Sequence, residues 1–282
     1  MHPHLINLFG VEITTYGLMV AVAFALLWWN VVRRGIKIGY EDVFLQNLLT
    51  IIVISAMAGS RVLLVIVNWD YYAANPSQIL FSREAGVYLG GFLAAILFSF
   101  PYIRKHDKSI LGIADLFSPY LALSHGIGRI GCFLFGCCYG SRCNLPWAVQ
   151  FPQDSPAFVD QWNQSLLDAG AMHSLPVHPT QLYSAFFNFT LCILLLTIRK
   201  RQRFRGQLAF SYLTMYGGGR FLIEFVRGDQ LRGNWGWFST SQWGSFLLLC
   251  IGLIGYIQFR RRAVPPEYPI EKQTSPAEST MT

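Results

Sequence analysis

Three arginines set in otherwise apolar runs are the residues of this chain best suited to chemistry: Arg61, Arg129 and Arg220. Ionisable groups at membrane depth cost about 2.5–3.5 kcal/mol on insertion scales, so each one marks a functional candidate. Asp115, His125, Glu224 and Arg227 lie in the same kind of surroundings. Guanidiniums grip phosphate through paired, charge-assisted hydrogen bonds, and several converging at one depth would make a phosphate pocket. Each also has a plainer reading. Arg220 and Glu224, at i and i+4, can pair within one helix, and Arg61 can snorkel to the interface.

The elements that position them are membrane spans. The 282 residues are 53% hydrophobic and 13% charged, where a soluble domain carries about a quarter charged residues. Apolar runs cover about 16–32, 43–67, 86–103, 115–136, 182–198, 207–226 and 242–259, each long enough to cross a hydrocarbon core of roughly 30 Å as a helix. This predicts an all-α, polytopic membrane protein with seven transmembrane helices. The net charge of +7 does not point to nucleic acid, because the basic residues sit in alternate loops: Arg33, Arg34, Lys37; Arg104, Lys105, Lys108; Arg199 to Arg205; Arg260 to Arg262. By the positive-inside rule the N-terminus is outside and the C-terminus cytoplasmic. The first dozen residues hold Glu12 and no Lys or Arg, which argues against a cleavable leader with a basic start. Residues 1–262 are expected to form the transmembrane domain, with an outer-side segment at 138–181, and 263–282 a disordered cytoplasmic tail.

With this topology the second, fourth and sixth spans run outward. Arg61, Arg129 and Arg220 then lie about six to eight residues before their outer ends, or roughly 9–12 Å at 1.5 Å per residue. Tyr16 and Gly90-Gly91 fall near the same layer, where an outer-leaflet headgroup supplies a phosphate. Gly126, Gly128, Gly131 and Gly136, and Gly217 to Gly219, allow close approach of backbones and a ligand. Gly126-x-Gly128-x-x-Gly131 matches a dinucleotide fingerprint, but it follows no strand and lies inside an apolar span, so that match is rejected.

These residues fall into recognisable blocks: Tyr16-Gly17-Leu18-Met19, Gly59-Ser60-Arg61, Gly128-Arg129-Ile130-Gly131-Cys132-Phe133 through Gly140, His178-Pro179-Thr180-Gln181-Leu182-Tyr183, and Tyr216-Gly217-Gly218-Gly219-Arg220 through Arg227. In order and spacing, from about 11 to 260, they resemble the prolipoprotein diacylglyceryl transferase family. The resemblance implies a bacterial inner-membrane enzyme that moves a diacylglyceryl group from phosphatidylglycerol to the lipobox cysteine of a lipoprotein precursor, without a cofactor or metal. It implies catalytic roles for Arg129, Arg220, Tyr16 and Tyr216. It implies contacts with phosphatidylglycerol for Arg129, Arg61, Glu224, Arg227, Gly90, Gly91 and His178. The chemistry implied is attack of a thiolate on the glyceryl carbon next to phosphate, with glycerol phosphate expelled.

The chain departs from the pattern at four positions. Leu89 stands where the family has a third-span histidine, and Cys132, Phe135 and Cys137 replace two Asn and a Glu of the signature. His125, four residues before Arg129 and on the same helix face, is a substitute base or a helix-packing histidine. His178 is a second candidate, though its place before Pro179 equally suits a turn. Cys132, Cys137, Cys138 and Cys143 form a C-x4-CC-x4-C cluster, a weak metal signal beside paired CxxC motifs. A disulfide involving Cys143 accounts for it outside the cell without a metal, and Cys192 and Cys250 read as packing residues. A homologue that holds phospholipid or lipoprotein without catalysis is the alternative function. A transporter is disfavoured because no span is discontinuous.

Overall fold

A computed structural model describes residues 4–8, 11–81, 86–228 and 234–266. A hairpin of β1 (His4–Leu8) and β2 (Val11–Thr14) leads into α1 (Thr15–Lys37). Then follow α2 (Asp42–Val67), α3 (Trp69–Ala74), α4 (Gln78–Phe81), α5 (Tyr88–Lys105), α6 (Ile110–Phe135), α7 (Pro156–Asn163), α8 (Thr180–Arg199) and α9 (Gln207–Glu224). A short hairpin of β3 (Asn234–Trp235) and β4 (Phe238–Ser239) precedes α10 (Thr240–Arg262). The expected disordered tail falls from residue 267 onward outside the described residues.

Five of these helices, α1, α2, α6, α8 and α10, are long and apolar enough to cross a membrane. Their outward faces carry bare aliphatic side chains such as Ile54, Met57, Val62, Ile193, Ile251 and Ile254. A surface of that kind is a liability in water and the natural state in lipid. The chain is therefore an all-α, polytopic membrane protein. The 18-residue helices α5 and α9 coincide with the third and sixth apolar runs. They are less apolar over their whole length, because α5 ends in Arg104-Lys105 and α9 contains Arg220 and Glu224.

The fold divides into two compact units, one of residues 31–113 and one of residues 1–30 with 114–282. In the first, α5 packs along α2 on a seam without side chains. A Cβ on Gly91 would lie 2.8 Å from the Ala56 carbonyl oxygen, and one on Gly59 2.5 Å from that of Gly90. Small residues let the two backbones meet, as apolar helices in lipid require. Arg61 on α2 donates from Nε to the Ile79 carbonyl (2.7 Å) and from Nη2 to that of Gln78 (3.3 Å), holding α4.

In the second unit α6, α8 and α9 share a core of Ala122, Leu191, Leu195, Leu208 and Tyr212. Close approach again rests on glycine. A Cβ on Gly126 would strike the Phe189 ring, and one on Gly217 would lie 2.6 Å from the Ser245 carbonyl of α10. Ser124 Oγ donates to the Ala23 carbonyl at 3.0 Å and ties α6 to α1. The helix α10 starts in a reciprocal capping box between Ser239 and Gln242, which satisfies two otherwise orphaned amides.

Asp115, an acid in an apolar helix and so a functional candidate by sequence, has a structural task instead. Its carboxylate accepts from the backbone amides of Gly206 (2.6 Å) and Ala209 (2.9 Å) and from Gln202 Nε2 (2.6 Å). It thereby caps the first turn of α9 from a different helix, where a negative charge meets both orphaned N–H groups and the positive end of the helix dipole. Replacing Asp115 by Ala should cost about 1–3 kcal/mol, the price of buried donors left without an acceptor. Asn, which keeps one acceptor, should cost less. Thermal unfolding in detergent micelles checks the order wild type, Asn, Ala.

Candidate active site

The last carbonyls of a helix have no intrahelical partners; at the end of α6 those of Cys132 and Phe133 are taken by the turn that follows, and the turn's own carbonyls are claimed by α8. The helix is stopped by Gly136, at φ 84°, whose amide returns to the Cys132 carbonyl at 2.9 Å. Two residues on, Cys138 also has positive φ, 62°, which is uncommon for a residue with a side chain. The turn is held from outside. Gln181 Nε2 donates to the Cys137 carbonyl at 2.8 Å and Thr180 Oγ1 to that of Cys138 at 2.9 Å, and Gln181 is fully buried.

The chain then runs between the start of α8 and the end of α9. Gly140 N donates to the His178 carbonyl (2.9 Å), and Ser141 N to that of Val226 (3.0 Å). Gly140 is obligatory here, since a Cβ would lie 2.6 Å from His178 Cβ and 2.7 Å from the Val226 oxygen. The segment between α6 and α8 closes over this junction with a small core of Tyr139, Phe151, Ala157 and Val177 against Phe133.

Two polar stripes are fixed by this junction. On α6, His125, Arg129 and Cys132 stand at i, i+4 and i+7 and so share a face. On α9, Tyr212, Tyr216, Arg220 and Glu224 follow at successive steps of four. The stripes meet at both levels. His125 Nδ1 lies 3.1 Å from the Tyr212 hydroxyl, and its ring centroid 5.4 Å from that of Tyr216, which stacks on Tyr212. One turn further along the helices, Arg129 and Arg227 are within electrostatic range of Arg220, and Arg220 Nη1 pairs with Glu224 Oε2 at 2.5 Å. Glu224 also accepts from Ser239 Oγ at 3.1 Å, which binds the end of α9 to the start of α10.

Among the described residues, Arg129 has no hydrogen-bond or carboxylate partner. It is the cation of this cluster with donors to spare. Tyr16, at the start of α1, lies within electrostatic range of Arg129 and of the thiols of Cys132, Cys137 and Cys138, and its ring centroid is 6.4 Å from that of Phe135. His178 stands at the rim with Nδ1 3.3 Å from the Tyr183 hydroxyl, which accepts from Trp147 Nε1 at 2.7 Å.

One unit thus unites His125, Arg129, Tyr16, Tyr216, Arg220, Glu224 and Arg227, with His178 on the strand that abuts Gly140. Arg61, Gly90 and Gly91 belong to the other unit, where they hold α4 and pack α5 on α2. Sequence reasoning passed over two residues that matter. Tyr212 holds the imidazole, and its only signal is a spacing of four before Tyr216. Gln181 clamps the α6 turn, and it was visible only as one letter of a motif.

The expected disulfide at Cys143 is not formed: all six cysteines are free thiols. Instead Cys132, Cys137 and Cys138 converge, with their three sulfurs within 4.8 Å of one another. Hydrogen bonds from the Cys132 and Cys137 thiols, and then the Arg227 and Arg129 guanidiniums, hold the Cys138 thiol well below the usual thiol range.

Fold and site together define a polytopic membrane protein with a guanidinium-rich polar centre cut into its helices, a centre suited to anionic lipid. The family model for prolipoprotein diacylglyceryl transferase matches residues 3–258. A Clostridium tetani protein named phosphatidylglycerol–prolipoprotein diacylglyceryl transferase is 34% identical over 90% of this chain and 96% of its own length. A Clostridium perfringens protein of that name, numbered 2, is 35% identical over 89% and 92%, and one from Clostridioides difficile is 31% identical over 80% and 83%. The chain belongs to the prolipoprotein diacylglyceryl transferase family, a family of transferases.

The Arg220–Glu224 pair gives the first test of the site. Glu224→Leu strands a guanidinium that is only 11% exposed, and breaking such a pair costs about 3–5 kcal/mol. Glu224→Gln retains an acceptor for both Arg220 and Ser239 and should lose clearly less. Unfolding of the two purified variants in detergent compares them.

Proposed function

We propose that this protein transfers the diacylglyceryl group of phosphatidylglycerol to the lipobox cysteine thiol of lipoprotein precursors, at the outer face of the bacterial inner membrane. The observation that carries the reading is Arg129, without a hydrogen-bond or carboxylate partner among the described residues, within electrostatic range of Arg220, which is also in range of Arg227. Phosphatidylglycerol brings a phosphodiester with one negative charge. As the thiolate sulfur bonds to the glyceryl carbon, the carbon–oxygen bond to phosphate breaks and its electron pair goes to the phosphate oxygen. Glycerol phosphate leaves with more charge than the lipid carried. Fixed guanidiniums at the phosphate bind that state better than the ground state, which is the requirement for catalysis.

In this reading Arg129 and Arg220 hold the phosphate, and Arg227 and Glu224 set the charge and orientation around it. Tyr16 and Tyr216 line the site, with His178 at its rim. His125 takes the thiol proton, oriented by its bond to Tyr212. The roles of Arg61, Gly90 and Gly91 in lipid binding rest on the resemblance alone. The topology proposed is seven spans with the N-terminus outside. It draws support from basic residues in the last turns of α1, α5, α8 and α10, all at ends assigned to the cytoplasm.

The apolar Leu89 favours a second reading, a homologue that holds phospholipid without transfer. Rescue of a bacterium depleted of its own transferase separates the two, since a binder does not restore lipoprotein modification. Within the active reading, Arg129→Ala should reduce transfer to a lipobox peptide by at least about a hundredfold. Arg129→Lys should recover little, because an ammonium lacks the planar fork. His125→Gln should lose about 10²-fold or more, the usual worth of a positioned base, while His178→Gln loses little. A wild-type rate in His125→Gln would reduce His125 to a packing residue. Reporter fusions finding residues 199–206 outside would remove the topology.

A further inference from the structure

The three converging thiols have no part in the transfer chemistry above, and their arrangement is a built one. Cys132 projects from the last turn of α6. Cys137 and Cys138 reach it because the chain reverses through two left-handed residues, Gly136 and Cys138. A side-chain residue held at positive φ costs of order 1–3 kcal/mol and persists where the surroundings over-determine it. They do so here through the Gln181 and Thr180 bonds to the carbonyls of Cys137 and Cys138. The carbonyls are thus drawn to α8 while the sulfurs collect on the other side.

We propose that Cys132, Cys137 and Cys138 form a three-thiolate site for a soft, thiophilic d10 cation, zinc(II) or copper(I). Metal–sulfur bonds of about 2.3 Å place the sulfurs of a tetrahedral or trigonal centre about 3.8–4.0 Å apart, within the 4.8 Å that bounds all three sulfurs. The donor set is sulfur alone, which selects soft cations over magnesium or calcium. Charge also balances. Three thiolates around a divalent ion leave a net negative centre, and the Arg129 and Arg227 guanidiniums lie within electrostatic range of Cys138. Zinc in this site takes its fourth ligand from water or from outside the chain, and copper(I) needs none.

A disulfide fits the trio less well. Consecutive trans residues have Cα atoms 3.8 Å apart, below the 4.4–6.8 Å span of ordinary disulfides, so Cys137 and Cys138 are poor partners. Joining either to Cys132 strands the third thiol. A single metal ion engages all three, and it shields them in an oxidising compartment.

The test uses the full-length chain in detergent or nanodiscs, with its six thiols reduced, and zinc or copper(I) supplied alone. The expected result is one tightly held equivalent of metal. Alkylation of Cys137 and Cys138 should slow by about tenfold or more on loading, read residue by residue by mass spectrometry. Cys143 should stay reactive, and a chelator should reverse the protection. Tight zinc with an exchangeable fourth ligand and tight copper(I) without one are told apart by X-ray absorption at each metal. The proposal fails if the reduced chain binds neither ion stoichiometrically, if protection falls on Cys143 instead, or if the purified chain carries a Cys132 disulfide that forms ahead of metal. The protection experiment needs no substitution, so misfolding of a Cys132→Ser variant does not blur it. Metal content is independent of transfer, so a failed transferase reading leaves this result standing.

Discussion

The polar centre of this protein hangs on the turn that follows α6, where the carbonyls of Cys137 and Cys138 lie outside any helix. In lipid each such group must find a donor within the protein. Here the donors come from the first turn of α8, Thr180 and Gln181, and the strand that follows is bonded to His178 and Val226. One stretch of six residues, Gly136 to Ser141, therefore joins the ends of α6, α8 and α9. The guanidiniums of Arg129 and Arg227 are carried by two of the elements so joined. Their mutual distance is set by backbone hydrogen bonds, not by attraction between the side chains, which repel.

That repulsion explains the rest of the polar architecture. Three like charges in a low-dielectric setting cannot be tolerated without compensation. Glu224 supplies part of it and is itself fixed at both ends, to Arg220 one turn back and to Ser239 at the start of α10. At the opposite end of α9 Asp115 performs the same service for the helix terminus, from α6. The helix carrying Arg220 is thus pinned at each end by a carboxylate with an assigned set of donors. Both acids are thus engaged in fixed hydrogen bonds that hold α9 in place.

Much of this was legible in the sequence because lipid imposes so strict a code. The seven apolar runs each coincide with a long helix, and the arginines, Glu224 and His125 stood out as ions where ions are costly. The helix α6 begins at Ile110, five residues before the expected start, because Asp115 is buried by its bonds to α9 and does not mark a boundary. The residues that hold the site were harder to find, since their signal is tertiary. A buried glutamine reads as any polar residue at a helix start until the carbonyl it serves is known. Gly90-Gly91 reads as a ligand cradle, and the proximity of Ala56 shows that it also forms a helix seam, which sequence alone does not reveal. The cysteine spacing gave no strong metal pattern because standard motifs count residues along regular turns. Here the sulfurs meet through a left-handed Cys138 that spacing does not encode.

The two stripes also suggest why a tyrosine pair sits beneath the arginines. In the proposed reaction the lipid lies with its acyl chains in the hydrocarbon layer and its phosphate toward the outer face, so the reacting glyceryl carbon lies on the inner side of the phosphate. Groups that serve that carbon or its attacking sulfur belong deeper than Arg129. His125 is one turn along α6 from Arg129, about 6 Å at 1.5 Å per residue, and the Tyr212 hydroxyl, 3.1 Å from its Nδ1, orients its ring. The arginines need reach only the oxygen that leaves. In that reading a division by depth, cations outside and imidazole inside, lets neighbouring helices present opposite demands to one lipid without a charged group at the centre of the membrane.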